Sequence, residues 1–339
     1  MYKHDFVKNS ACPCKTMFHA KSTMQDLGVL TGMDRSTVSR ILRGDFGAHR
    51  YRPETVARVQ REAARLGFSP NHAARSLKTG RSHFVGVLMA RIRNPWFGEL
   101  AAELDSALSA RGCRVILADS NEEFGRERAS LQDLIGFGVD GIILAPCALR
   151  RQSALANVRT PVVVLDYPLY PEWPCVRLDS AAAARDLLAL ARTRGHRRVG
   201  LVCHQATAEV ERAFLVADAK VAVVRALAPL RTLERAPEQV RALLDRKADC
   251  LIGLNNDLTI AVLACLREHG VRVRQDIGVA GIDDFPAAAL LEPALTVLRQ
   301  PVSDYARLAV QLLMERIEYP DRKPQDVRCR GELVVRASM

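Results

Sequence analysis

Residues 23–44 read TMQDLGVLTGMDRSTVSRILRG, and the rest of the chain falls into place around them. Thr23 precedes Asp26 by three residues, the spacing at which a hydroxyl and a carboxylate cap each other's backbone N–H groups at a helix start. Met24, Leu27 and Leu30 then recur at helical spacing as far as Gly32, which supplies a tight turn. Asp34 offers a second N-cap, and Arg35 to Leu42 continue a second helix that stops near Gly44. Two short helices joined by a glycine turn form a helix-turn-helix, whose second helix presents its N-terminal side chains to the DNA major groove. Arg35 and Ser36 fall on that leading turn, with Arg40 a turn later. A guanidinium fork matches the O6 and N7 acceptors of guanine, and hydroxyls such as those of Ser36 and Thr37 suit phosphate. The competing reading of this stretch is an ordinary helical hairpin.

On the C-terminal side, Pro53 opens a third helical pattern with Val56, Val59, Ala63 and Leu66 on one stripe and Gly67 at its end. Three short helices make one small bundle. Asn71, after Pro70, caps a further stretch to Leu77 that is too short to hold itself as a helix in water, so it is expected to order only when bound. From Phe84 the pattern becomes β-α alternation. Strand-like runs at Phe84–Met89, Arg114–Ala118, Gly141–Leu144, Pro161–Leu165, Val199–Val202, Cys250–Leu254 and Gly278–Gly281 alternate with helices such as Trp96–Arg111, Arg126–Phe137, Ala181–Arg194 and Leu258–His269. That rhythm predicts parallel sheets with helices on both faces, divided between two doubly wound lobes.

Charge follows the same division. Residues 1–83 hold 15 Lys and Arg against 6 Asp and Glu, whereas the remainder holds 34 against 32. A basic N-terminal region points to a polyanionic partner there, nucleic acid or an anionic membrane. Apolar residues at 48% and charged residues at 26% are those of a folded globular chain. No run of 18 apolar residues occurs and the first twenty residues lack an apolar signal core, so a cytoplasmic protein without a membrane segment is expected. The nine cysteines are dispersed, which reads as free thiols in a reducing compartment. Cys12 and Cys14 lack a second pair at zinc spacing, so no metal is expected. The string GFGVDG at 136–141 matches a dinucleotide fingerprint only literally, because a helix precedes it and a strand follows. With no Walker loop, nucleophile elbow or zinc-protease motif, no enzyme activity and no cofactor are expected.

The chain resembles the lactose-repressor (LacI/GalR) family of transcription regulators. The quoted helix-turn-helix carries the resemblance, with RPETVARVQREAARLGFSPNHAARSLKTGRS as third helix and hinge. It continues through VGVLMARIRNPWFGEL, GVDGIIL, RGHRRVGLV, NNDLTIAVL, GVAGIDDFP and GELVVRAS, and so covers nearly everything after residue 21. The resemblance implies an α/β protein with an N-terminal three-helix helix-turn-helix domain and hinge helix, then a two-lobed periplasmic-binding-protein-like core. Its expected segments are a disordered tail (1–21), the DNA-binding domain (22–69), hinge and linker (70–81), and an effector-binding and dimerisation core (82–339). The tail is unusual for the family, and Met17 offers an alternative start.

The implied partners are double-stranded DNA with a palindromic operator, a small-molecule effector of sugar-like character, and a second copy of the chain. Thr23, Arg35, Ser36, Thr37, Arg40 and Asn71 are implied in DNA contact. Ala74 and Leu77 are implied at the minor groove, where a leucine wedge bends the duplex. For the effector the resemblance implies Asn94, Trp96, Phe97, Asp166, Asn256, Asp283 and Gln300, which lie after strands where open α/β sheets bind ligands.

Three departures are visible. Gly28 and Thr31 stand where the family usually has small alanines, Gly28 at an expected cost of about 1 kcal/mol to the first helix. Val210 occupies the position of a ligand-gripping arginine, and Arg212 at a neighbouring register is the expected effector contact in its place. The stretch from Phe214 to Asn256 is shorter than usual. Alternative readings are therefore a regulator whose core no longer binds an effector, or a solute-binding protein with an incidental tail.

Overall fold

The computed structural model describes residues 23–44, 51–68, 80–147, 158–204, 207–226 and 232–339. The expected tail, and the hinge positions Asn71, Ala74 and Leu77, lie outside the described residues. The chain divides into two compact units, Met1–Lys78 and Thr79–Met339.

The first unit contains α1 (Met24–Thr31), α2 (Arg35–Arg43) and α3 (Pro53–Arg65). Leu27, Val38, Ile41, Val59 and Ala63 form their shared core. Gly32 and Gly44 end α1 and α2 with φ of 66° and 67°, the left-handed geometry glycine adopts without a Cβ penalty. Gly28 has a different reason to be glycine. It is buried, and a Cβ there would stand 2.9 Å from the carbonyl oxygen of Met33, whose N–H donates to the Gly28 carbonyl at 3.0 Å. The turn closes onto the helix because that side chain is missing. Gly28→Ala is therefore expected to destabilise the unit by about 1 kcal/mol, overpacking outweighing the propensity gain. Urea unfolding checks this, and a raised midpoint would contradict it.

The second unit is a pair of six-stranded sheets. In chain order its elements are β1 (Phe84–Met89), α4 (Pro95–Ser109), β2 (Arg114–Asp119), α5 (Phe124–Gly136), β3 (Gly141–Leu144), β4 (Val162–Leu165), β5 (Cys175–Leu178) and α6 (Ser180–Thr193). There follow β6 (Val199–His204), α7 (Ala208–Ala217), β7 (Ala222–Ala226), α8 (Thr232–Asp245), β8 (Cys250–Gly253), α9 (Asn256–Glu268) and β9 (Gly278–Ile282). The last are β10 (Thr296–Arg299), α10 (Val302–Glu318), β11 (Asp326–Cys329) and β12 (Glu332–Val334). The first lobe's sheet runs β11-β5-β4-β3-β1-β2 and the second β12-β10-β9-β8-β6-β7. All pairings are parallel except the antiparallel β10–β12 edge.

Strands such as GIIL and VVVL are buried along their whole length, as parallel strands covered on both faces must be. In the first lobe α4 and α10 pack on one face and α5 on the other. In the second, α6 and α7 cover one face, and α8 and α9 the other. The chain passes between lobes three times, after β5, after β10 and after β11. The GFGVDG string is the end of α5, with Gly138 left-handed at φ 68°. Among the described residues no helix is long and apolar enough to cross a membrane.

Candidate ligand cleft and nucleic-acid interface

In the first unit Thr23 and Asp26 form the expected capping box. The Thr23 N–H donates to Asp26 Oδ2 at 2.7 Å, and the Asp26 N–H to Thr23 Oγ1 at 3.2 Å. Asp34 caps α2 more fully than its sequence position alone requires. It accepts the backbone N–H groups of Ser36 and Thr37, both at 2.9 Å. It also accepts their hydroxyls, at 2.5 and 2.6 Å. Four donors on one carboxylate hold Asp34 well below its usual range. The hydroxyls of Ser36 and Thr37 thus fasten the N-terminus of α2 here. Arg35 is exposed on the first turn and Arg40 is half-buried.

In the second unit, the strand order reverses between β1 and β3 in one sheet and between β6 and β8 in the other. Side chains that follow these strands converge on a cavity of about 140 Å³ between the lobes, at the place such topologies reserve for ligands. Asn94, Trp96, Phe97, Asp166, Asp283 and Gln300 all line it. Trp96 is 5% exposed and meets Phe97 and Tyr305 edge-on, with ring centroids 4.9 and 5.7 Å apart. Asp166 and Asp283 follow β4 and β9 in left-handed backbone geometry, φ 63° and 71°, which aspartate tolerates better than most residues. Tyr305 donates its hydroxyl to Asp166 at 3.1 Å, and Gln300 donates Nε2 to Asp283 at 2.6 Å.

Burial dominates the acidity of both carboxyls. It pushes Asp166 up to about 7 against the Tyr305 hydrogen bond, with the charges of Asp283 and Glu209 adding to the rise. Asp283 is pushed up to about 6, the Gln300 bond again opposing. Glu122, after β2, is raised by burial in spite of Arg91.

Two expected ligand contacts stand elsewhere. Arg212 is exposed on α7 and does not reach the cavity, because the face of α7 turned inward is that of Glu209 and Val210. Asn256 is fully buried, while its neighbours Asn255 and Asp257 line the cavity. Asn256 is instead half of a clasp between lobes. Asn94 Nδ2 donates to Asn256 Oδ1 at 2.6 Å, and Asn256 Nδ2 returns to Asn94 Oδ1 at 3.1 Å. Asp257 accepts from Asn94 at 3.0 Å and from Arg91 at 2.9 Å. A further bridge joins Arg177 on β5 to Glu209 on α7, with Arg177 also gripping Asp326 at 2.7 and 2.5 Å.

Residues missed in the sequence include Arg91, Glu122, Cys147, Tyr167, Glu209 and Asp257. Glu122 and Cys147 follow β2 and β3, so counting onward from each strand end would have found them. Burial pushes the Cys147 thiol up to about 12, which leaves it without thiolate character at neutral pH. Among the described residues no cluster of metal-ligating side chains occurs.

Residues 189–339 match the model of a periplasmic binding protein-like domain. Among curated proteins the chain is similar to the HTH-type transcriptional regulator KdgR of Bacillus subtilis, 26% identical over 96% of this chain and 99% of that protein. Among solved structures it is similar to the complex of the transcriptional regulator CelR with cellobiose. There the TM-score is 0.66 at 25% identity, covering 94% of this chain and all of that one. The fold is also that of the lac repressor dimer bound to operator and an anti-inducer, with a TM-score of 0.78 at 20% identity over 94% of this chain and 98% of that one.

Proposed function

We propose that the chain is a transcription regulator of the LacI family, a sequence-specific DNA-binding repressor governed by a small, hydroxyl-rich, sugar-like molecule held between its core lobes. The observation that carries this reading is one chain holding both a doubly capped helix-turn-helix and a cavity walled by both lobes. Two copies pair, because palindromic half-sites require a two-fold partner. The protein works in the cytoplasm and catalyses no reaction. In this reading Arg35, Ser36 and Arg40 meet base edges, Thr23, Thr37 and Asn71 the backbone, and Ala74 and Leu77 the minor groove. The ligand acts by binding one lobe arrangement better than the other, the clasp at Asn94 and Asn256 being made in only one of them.

The test begins with DNA selected from a randomised pool by the full chain. Arg35→Ala and Arg40→Ala are each expected to cost about 1–3 kcal/mol on the selected site and to relax preference at one base position. Fluorescence titration at several salt concentrations checks this. Uniform weakening on every sequence, with a flatter salt slope, would mean that both arginines touch phosphate only.

A further inference from the structure

The charges lining the cavity do not balance. Asp257 is paired with Arg91 and Glu209 with Arg177, and the charge of Arg91 also acts on Glu122, but Asp166 and Asp283 have no cationic partner among the described residues. Asp283 is 6% exposed. Val210 lines the cavity at the position where the family resemblance implies a ligand-gripping arginine, so no described guanidinium is left over to meet an anion.

Unfilled hydrogen-bonding capacity points the same way. Glu122 Oε2 and Gln300 Oε1 are buried acceptors without a partner, and Trp96 Nε1 is a buried donor without one. All three belong to residues of the cavity wall. Unpaired buried polar atoms are costly, so three on one cavity mark it as a place a ligand completes. The two acceptors ask for N–H or O–H groups, and the indole N–H asks for a lone pair such as that of a hydroxyl. Trp96, Phe97 and Tyr167 supply aromatic faces, which suit both the C–H face of a ring and a cation.

We propose that the ligand of this cleft is a cationic polyol, a small hydroxylated ring or chain bearing a protonated amine, and that the cleft excludes sugar acids and sugar phosphates. The inference rests on the effector reading above and narrows it. The ammonium group lies among Asp166, Asp283 and Glu122, where its charge replaces the missing counter-ion, and the hydroxyls meet Gln300 and Trp96. A carboxylate or phosphate in the same place would stand against Asp166 and Asp283, which have no cation beside them, and like charges in a site screened from water repel strongly.

Isothermal titration calorimetry of the full chain at neutral pH, against matched twins, tests this. The probes are D-glucose, D-glucosamine and D-gluconate, with D-ribose, 1-amino-1-deoxy-D-ribitol and D-ribonate as a second series. In at least one series the amine is expected to bind ten-fold or more tighter than its neutral twin, and neither acid to bind. Asp283→Asn and Asp166→Asn keep shape and tolerate the left-handed backbone. Each is expected to remove most of the amine's ten-fold advantage while the protein melts cooperatively. An acid or neutral twin binding as tightly as the amine would overturn the proposal, as would an amine preference untouched in both variants, or no binding of either amine at millimolar concentration. The selected DNA is titrated in parallel without sugar. Loss of DNA binding there is a failure of the regulator reading, whereas a neutral twin that binds best leaves that reading standing and removes only the cation.

Discussion

Replacing Gly253 with alanine is expected to destabilise the second lobe by about 3 kcal/mol and to abolish ligand binding. Gly253 ends β8 directly beneath the first turn of α9, and a Cβ there would lie 2.4 Å from Thr259 Oγ1 and 2.7 Å from the Thr259 backbone N and Cα. Gly281 on β9 crowds the same threonine, with a Cβ position 2.5 Å from Oγ1. The helix therefore rests on two bare strand positions and cannot retreat, because Thr259 donates to the Asn255 carbonyl at 2.7 Å and is buried. Displacing α9 moves Asn255, Asn256 and Asp257 together, so the clasp and part of the cavity wall are lost with it. Urea unfolding and calorimetry read the two effects. Gly125→Ala is the control: it lies in α5 with nothing within 4 Å of its missing Cβ, and is expected to gain a few tenths of a kcal/mol. Equal behaviour of the two variants would show that the contact at Gly253 is slack.

The second large effect is on pH. Asp166 in the folded protein is pushed up to about 7 and Asp283 to about 6, both above the value of 3.8 they hold when unfolded. The folded state therefore holds these protons more tightly than the unfolded chain does. The stability this contributes is complete below about pH 4 and is lost as pH rises through 6 and 7. Asp276, held at about 2 by Arg272, and Asp326, lowered by Arg177, act in the opposite sense, their contribution failing only in acid. Ligand-free protein is thus expected to be most stable near pH 4 and to lose several kcal/mol on the way to pH 8, most of it between about pH 4 and 7. Melting temperatures across that range check it. Asp166→Asn is expected to flatten the decline and raise the melting temperature at pH 8. A melting temperature climbing steadily from pH 4 to pH 8 would contradict the burial of these two charges without a partner.

Much of this fold is legible where physical causes are local. Caps at Thr23 and Asp34, glycine stops at Gly32 and Gly44, and buried strands such as GIIL are decided by neighbours a few residues away. The strands that escaped notice depend on distant ones. β5 reads CVRL, and its arginine argues against a buried strand until Asp326, 149 residues on, is seen beside it. β11 and β12 are short edge strands with exposed positions, which carry no clear alternation. The cleft divides in the same way. Residues directly after a predicted strand, such as Asn94, Asp166 and Asp283, line the cavity. Arg212 was misplaced because the turn of α7 toward the cavity is set by packing of Phe214 and Val210 in the second lobe's core, not by spacing along the chain. Asn256 lies beside the cleft as its sequence position implies, but an amide that satisfies its own twin across a cleft looks in sequence like one awaiting a ligand.

Each lobe is assembled from pieces that are not contiguous in the chain, and three separate strands of backbone run between them. A single tether would let two bodies swing and twist freely; three side by side leave essentially one soft coordinate, opening and shutting. A ligand that binds the cleft thus acts on one number, and its binding energy is not spread over many motions. The same arrangement means that no single cut in the polypeptide frees either lobe, so a message written at the cleft is carried by the whole core or not at all.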